Sequence, residues 1–330
     1  MKERLLFIYN PNAGTGKIKS KLSDIIEIFS NTGYEIMIYP TKCRMDARQC
    51  AMEYVQKEWC ERIVCAGGDG TLNEVAGGMM ICGKQIPIGY IPAGTTNDFG
   101  YSLKIPKNIL AAAELAATGE VFQCDIGSIN GTYFTYTAAF GLFSDVSYET
   151  SQNMKNVLGR AAYLLSGITK LAGVRPYEVR AEYDNEVVEG KFILGILANS
   201  DSIGGFRGLT GKDVMFDDGL FEMLLIKMPK NLLELNGIIY ELLSNSLNNR
   251  YIHYARVSKV HITSLEDLPW SLDGEDGGNI PDAEIIIYQR AVHYICRKVN
   301  DILEELETKE EIQEQLPQEF NPTEELEEES

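Results

Sequence analysis

The sequence predicts an α/β, doubly wound nucleotide-binding domain followed by a mostly antiparallel β-sandwich, and three observations carry that expectation. Through the first third of the chain, short continuous apolar runs alternate with amphipathic segments at helical spacing, the βαβα pattern of a parallel sheet covered on both faces. Four of the runs end in polar, Gly-rich or Thr-bearing turns, at residues 10, 41, 67 and 94. From about residue 121 the texture changes to closely spaced strands of alternating aromatic and β-branched residues. The expected division is 1–126 for the α/β domain, with 290–303 as its candidate completion, 127–289 for the sandwich and 304–330 for an acidic, disordered tail.

The elements follow in order. Leu5 to Tyr9 reads as a buried strand ending at the turn Asn10-Pro11-Asn12-Ala13-Gly14, before a helix over Ile18 to Asn31. Tyr34 to Tyr39 is the next strand, closed by Pro40-Thr41, and Met45 to Lys57 is a helix. The strand at Arg62 to Ala66 runs into Gly67-Gly68-Asp69-Gly70, with a helix from Leu72 to Ile81 beyond it. Ile86 to Ile91 is a strand, Pro92 to Asp98 a turn and Ile109 to Thr118 a helix. Ligands of doubly wound sheets bind at the carboxyl ends of the strands, so the four turns should meet in one crevice. In the second half the strands are Phe122 to Ile129, Thr132 to Ala139, Tyr177 to Tyr183, Val187 to Ala198, Leu220 to Ile226, Ala255 to Ile262 and Glu284 to Tyr288. Asp184-Asn185 marks a hairpin, and helices are expected over Met154 to Gly173 and Leu232 to Asn248.

Charge excludes one class of partner. The chain carries a net −18, and non-specific nucleic-acid binding needs a basic surface. Residues 301–330 hold thirteen acids and one lysine, a net of −12, which leaves an ordinary −6 for the first 300 residues. Seven cysteines in irregular positions, with no CxxC pair, read as reduced thiols of a cytoplasmic protein. Three histidines, none at ligand spacing to a cysteine, argue against zinc. No signal peptide and no apolar run of membrane-spanning length is read from the chain.

Gly67 to Asp69 carries the chemistry. A strand, a Gly-rich turn and a helix N-terminus form a phosphate bed, because backbone N–H groups and the helix dipole favour negative charge. Asp69 repels phosphate in such a bed unless a cation lies between them, which points to a nucleotide–Mg²⁺ site. Taken alone, the stretch is equally a tight connection with a capping Asp. It is not a Walker A loop, since Gly16-Lys17 precedes Ile18, nor a Rossmann fingerprint, nor part of a protein-kinase motif set.

Asn10 to Gly14, Gly67 to Glu74, Pro92 to Phe99, Asp217-Asp218-Gly219-Leu220-Phe221 and Leu272-Asp273-Gly274-Glu275 together resemble the ordered motifs of the diacylglycerol-kinase catalytic family, in its soluble bacterial lipid-kinase branch. The resemblance runs from about residue 4 to residue 298. It implies ATP lined by Asn10, Pro11, Asn12, Ala13, Gly14, Thr41, Gly67, Gly68, Asp69, Gly70, Thr71, Leu72, Asn73 and Thr95. It implies an acidic network of Asp69, Asp98 and Asp125 around catalytic Mg²⁺, with Glu275 as general base and Asp69 its rival. It also implies a structural divalent cation on the Asp218 carboxylate and the carbonyls of Met215 and Leu220, although Leu209 to Val214 lacks a proline expected there and Lys212 would compete.

The activity implied is ATP-dependent phosphorylation of diacylglycerol to phosphatidate, with another lipid alcohol (a sphingoid base or phosphatidylglycerol) as the first alternative. An NAD kinase-like enzyme or an inactive nucleotide-binding scaffold stands further off. The partner implied is a lipid at a membrane surface, with peripheral association and room for a homodimer. Thr150 to Tyr177 has no acid but has Lys155, Arg160, Lys170 and Arg175, so it could lie on an anionic membrane, or equally pack its apolar side on the sandwich.

Overall fold

The structure, a computed structural model, describes residues 2–141, 175–200, 202–203, 206–207, 214–231, 250–297 and scattered positions between 233 and 241. The helix expected over 154–173, the basic segment up to residue 174, the acidic tail and most of the helix expected over 232–248 lie outside the described residues; Arg175, at the end of that segment, is ion-paired with Glu266.

In chain order the first elements are β1 (Arg4–Tyr9), α1 (Lys17–Asn31), β2 (Glu35–Pro40), α2 (Asp46–Gln56), β3 (Arg62–Gly67), α3 (Asp69–Cys82), β4 (Ile88–Pro92), α4 (Asp98–Ser102) and α5 (Ile109–Thr118). Next come β5 (Glu120–Ile129), β6 (Thr132–Phe134), β7 (Thr137–Gly141), β8 (Tyr177–Tyr183), β9 (Glu186–Ala198), β10 (Ser202–Ile203) and β11 (Phe206–Arg207). The rest are β12 (Phe221–Lys227), β13 (Ile252–Val257), β14 (Lys259–Ser264), β15 (Pro269–Leu272), β16 (Glu275–Asn279) and β17 (Asp282–Cys296).

The continuous apolar runs become the parallel ladder β2-β1-β3-β4, in which β1, β3 and β4 are buried and β2, at the edge, is only half-buried. Leu5 to Ile8 and Ile63 to Ala66 are fully buried in its core, with Ile18, Ile25 and Phe29 of α1 packed on them. Asn108 caps α5, its Oδ1 accepting from the N–H groups of Leu110 (2.9 Å) and Ala111 (3.1 Å). The remaining strands are antiparallel: β16-β15-β7-β9-β8-β14-β17, with β12 and β13 added beside β9. Trp270, Phe140, Phe134 and Phe221 fill that second core.

One strand serves both sheets. The first half of β17 pairs with β14 and β5, and its second half follows β5 into the parallel sheet, where Tyr294 registers with Ile88 of β4. Between the halves the register slips from Tyr288 to Val292, and Arg290 takes a φ of 50°.

The sequence expectation omitted α4, β15 and β16 and gave only residues 284–288 of β17; three further elements differ in where a predicted run starts or breaks. The third helix starts at Asp69, because the Gly68 carbonyl already accepts from the N–H groups of Thr71 (3.0 Å) and Leu72 (3.2 Å). The run expected as one strand over 132–139 breaks at residues 135–136, where the backbone turns its donors to a carboxylate. The run expected over 255–262 divides at Ser258, so that β13 pairs with β12 while β14 pairs with β8 and β17. Alternation looks the same on either side of such a break, so period alone does not find it.

Candidate active site

The strand ends do meet. The Gly67 carbonyl accepts from the N–H groups of Ala93 (2.8 Å) and Gly94 (3.2 Å), and the Asn10 N–H donates to the Ala66 carbonyl (2.8 Å). Contact between the two glycine turns is backbone on backbone: a Cβ on Gly94 would lie 2.6 Å from the Gly68 Cα. Asn97, in the left-handed region, holds the second turn, its Oδ1 accepting from the Gly94 N–H (2.9 Å) and its Nδ2 donating to the Gly94 carbonyl (2.9 Å). The result is a cleft of about 570 Å³ above the N-terminal end of α3.

Of the residues expected at the nucleotide, Asn10, Asn12, Ala13, Gly14, Thr41, Gly68, Gly70, Thr71, Asn73 and Thr95 line this cleft. Leu72 does not: its side chain is fully buried in the core and its N–H is spent on Gly68. Pro11, Gly67 and Asp69 are also absent from the wall, Asp69 being tucked beneath it at 9% exposure. The sandwich supplies the opposite wall through Leu272, Glu275 and Asp276. Glu275 reaches across the cleft, its Oε1 3.3 Å from where a Cβ on Gly70 would sit. Arg48, Arg44 and Glu74 also line the cleft; the two arginines went unread in the sequence, and Glu74 was read only as the last residue of the glycine motif. The Glu74 carboxylate accepts from the N–H groups of Met45 (2.8 Å) and Ala47 (3.1 Å), and so fixes the start of α2. The one sequence signal for Arg48 was Gly77-Gly78, which lets it lie across α3.

The acidic residues separate into two groups. Asp69 Oδ2 accepts from the Asp98 N–H at 3.1 Å, while Oδ1 is buried with no hydrogen-bond partner. Burial pushes the Asp69 carboxyl up to about 7, with the charges of Asp98 and then Asp273 adding to the effect. Asp125 belongs elsewhere. Its Oδ2 accepts from the Gly219 N–H (2.6 Å) and its Oδ1 from the Arg290 N–H (2.7 Å), which ties β5 to the 217–219 turn and to the bend in β17. Burial raises its carboxyl, the two N–H donors oppose that, and its acidic neighbours are Asp218 and Asp217. Of the three aspartates expected as one network, Asp69 and Asp98 lie together, with Asp273 as a further nearby charge, while Asp125 sits with the 217–219 turn.

The Asp69 carboxylate, with Asp98 beside it, fits a divalent cation in one respect: its buried oxygen without a donor is costly unless positive charge reaches it. Among the described residues no group of three or more His, Cys, Asp or Glu side chains is arranged to hold a metal unaided. Phosphate oxygens would have to complete the shell. The second metal expectation fits poorly. Asp218 Oδ2 is paired with the Arg256 guanidinium and Oδ1 accepts from the Leu220 N–H (2.9 Å), so this turn is satisfied without a cation at Met215, Asp218 and Leu220.

A glycine turn at a helix N-terminus, a buried carboxylate pair beside it and a carboxylate facing it from a sandwich define a phosphoryl-transfer site at the join of an α/β domain and a β-sandwich. Residues 4–129 match the diacylglycerol kinase catalytic domain, and residues 138–293 match the YegS C-terminal NAD kinase beta sandwich-like domain. The chain is 35% identical over 298 residues to the diacylglycerol kinase of Bacillus subtilis, covering 90% of this chain and 97% of that one. It is 37% identical over 303 residues to the diacylglycerol kinase of Staphylococcus carnosus, covering 91% and 98%. A crystal structure of a diacylglycerol kinase from Bacillus anthracis superposes with a TM-score of 0.75 at 27% identity, covering 91% of this chain and 98% of that one. This chain belongs to the diacylglycerol kinase family and is a kinase. Among the described residues no helix is long and apolar enough to cross a membrane.

Proposed function

We propose that this chain transfers the γ-phosphoryl group of ATP to the free hydroxyl of diacylglycerol, giving phosphatidate and ADP, with Mg²⁺ bound, at the surface of a membrane it meets from the cytoplasm. The observation that carries the reading is the face-to-face placement of Glu275 and the start of α3, where Asp69 keeps an unpartnered buried oxygen. The nucleotide would occupy the cleft between the turns at 10–14 and 94–95, its phosphates toward the positive end of α3. Asp69 and Asp98 are the carboxylates that would hold Mg²⁺. Mg²⁺, when bound, would neutralise the phosphate oxygens during transfer.

The chain's own residues do the rest. The glycine turns exclude side chains, so the phosphates approach backbone directly. Arg48, whose Nε is buried without a hydrogen-bond partner, offers a donor to the nucleotide. Glu275 takes the proton from the lipid hydroxyl as its oxygen forms the new bond to phosphorus and the bond to ADP breaks. Positioning and electrostatics supply most of the acceleration in such transfers. The identity of the acceptor leans on the named relatives, and another lipid alcohol is the second reading.

Transfer of labelled γ-phosphate to a panel of lipids in mixed micelles, with NAD as soluble control, tests the proposal. Diacylglycerol should be labelled fastest and only with Mg²⁺ present. Labelling of a sphingoid base or phosphatidylglycerol in its place would move the reading to the alternative, and labelling of NAD alone would end it.

A further inference from the structure

Asp273 is the first residue of the two-residue turn between β15 and β16. Asp273 and Gly274 have φ values of 50° and 81°, and Leu272 registers with Glu275 across the hairpin. Aspartates in such turns ordinarily face water. This one points inward and is 4% exposed. Its Oδ2 accepts from the Thr135 N–H (2.6 Å) and the Thr135 hydroxyl (2.8 Å). Its Oδ1 accepts from the N–H groups of Tyr136 (2.9 Å) and Thr137 (3.0 Å). The Asp273 N–H in turn donates to the Thr137 carbonyl at 2.8 Å.

Four donors from three consecutive residues therefore converge on one carboxylate, and they are the reason β6 and β7 are separate strands. The turn by itself does not require this. Asn-Gly serves a turn with left-handed residues as well as Asp-Gly does, and it needs no buried charge. What the carboxylate adds is an anchor two residues before Glu275. Without it the hairpin tip would be tied to β7 only through strand pairing, with Trp270 opposite Phe140 and Leu272 opposite Ala138. Glu275 must stay against Gly70 across the cleft, and a displacement on the order of 1 Å at a reacting group costs roughly 10²-fold in rate.

We propose that Asp273 is a positioning residue for turnover: its cradle of donors from residues 135–137 fixes the Asp273-Gly274 turn and thereby holds the Glu275 carboxylate at the start of α3. This rests on the reading of Glu275 as the proton acceptor. It assigns Thr135, through its hydroxyl, the same function at one remove.

The test is a double-mutant cycle in the full chain, with turnover of diacylglycerol and ATP read in mixed micelles. Asp273→Asn keeps a residue suited to the turn but sets an amide N–H₂ against donors. It should lower kcat by about tenfold or more while leaving the KM for ATP within about twofold. In a Glu275→Gln background the same change should lower kcat by less than about twofold, because the group it positions is already disabled. Thr135→Val removes a single donor and serves if Asp273→Asn fails to fold. Its smaller loss, about threefold, should likewise vanish beside Glu275→Gln. An equal fold loss in both backgrounds would overturn the proposal and leave the role of Glu275 standing. An unchanged kcat for Glu275→Gln alone would overturn both.

Discussion

Asp69 and Asp125 are the same residue, both buried in the same half of the molecule, and their surroundings treat them in opposite ways. Asp125 has each oxygen filled by a backbone N–H, from Gly219 and from Arg290. Asp69 has one oxygen filled and the other left bare. A filled buried carboxylate is architecture, since it ties segments together and regains the hydrogen bonds lost from water. A bare one is a standing cost that a proton or an incoming cation relieves. The comparison separates a strut from a binding group without reference to motif.

The comparison breaks most visibly at Asp69. Asp69→Asn should reduce turnover by about 10³-fold or more, as loss of a metal-holding or charge-stabilising group does, while the urea midpoint stays equal or rises. A lowered midpoint would mean that Asp69 is also a strut. Glu275→Gln comes next: kcat should fall by about 10²-fold or more with ATP binding, measured by titration calorimetry, unchanged. Asp125→Asn should show the reverse emphasis, with a loss of about 1–3 kcal/mol in urea unfolding, because the amide can no longer accept from both N–H donors. Stability equal to that of the unmutated chain would remove the strut.

The smallest effect is a pH dependence. The Asp69 carboxyl is raised to about 7 in the folded chain, against roughly 4 when unfolded, so the folded state holds its proton to higher pH. Its contribution to stability is full below about pH 4 and is lost as pH rises through about 7. The nucleotide-free chain should therefore lose stability relative to Asp69→Asn over that window, as read from thermal melts of the two. Parallel curves would show that Asp69 carries its charge without penalty.

Much of this was legible in the sequence. The runs at Leu5, Arg62 and Ile86 became parallel strands, Ile109 to Thr118 became a helix with those bounds, and the turns after residues 10, 67 and 94 came together. Apolar period reports local burial, and glycine turns report where backbone must come close, so both can be read from neighbouring residues. The register break in β17 carried no such sign, nor did the split of 132–139.

What the chain alone determined was the set of elements, their order and the presence of a phosphate bed with an awkward carboxylate. What only the tertiary structure decided was which carboxylate has a free oxygen. Asp125 draws its donors from positions 94 and 165 residues away, and Asp273 draws all four of its donors from 136 to 138 residues away. The state of a buried polar group is set by whatever the fold delivers to its lone pairs. Three aspartates that look alike in a motif thus became a candidate metal-holding group, a strut at the bend of β17 and an anchor for Glu275.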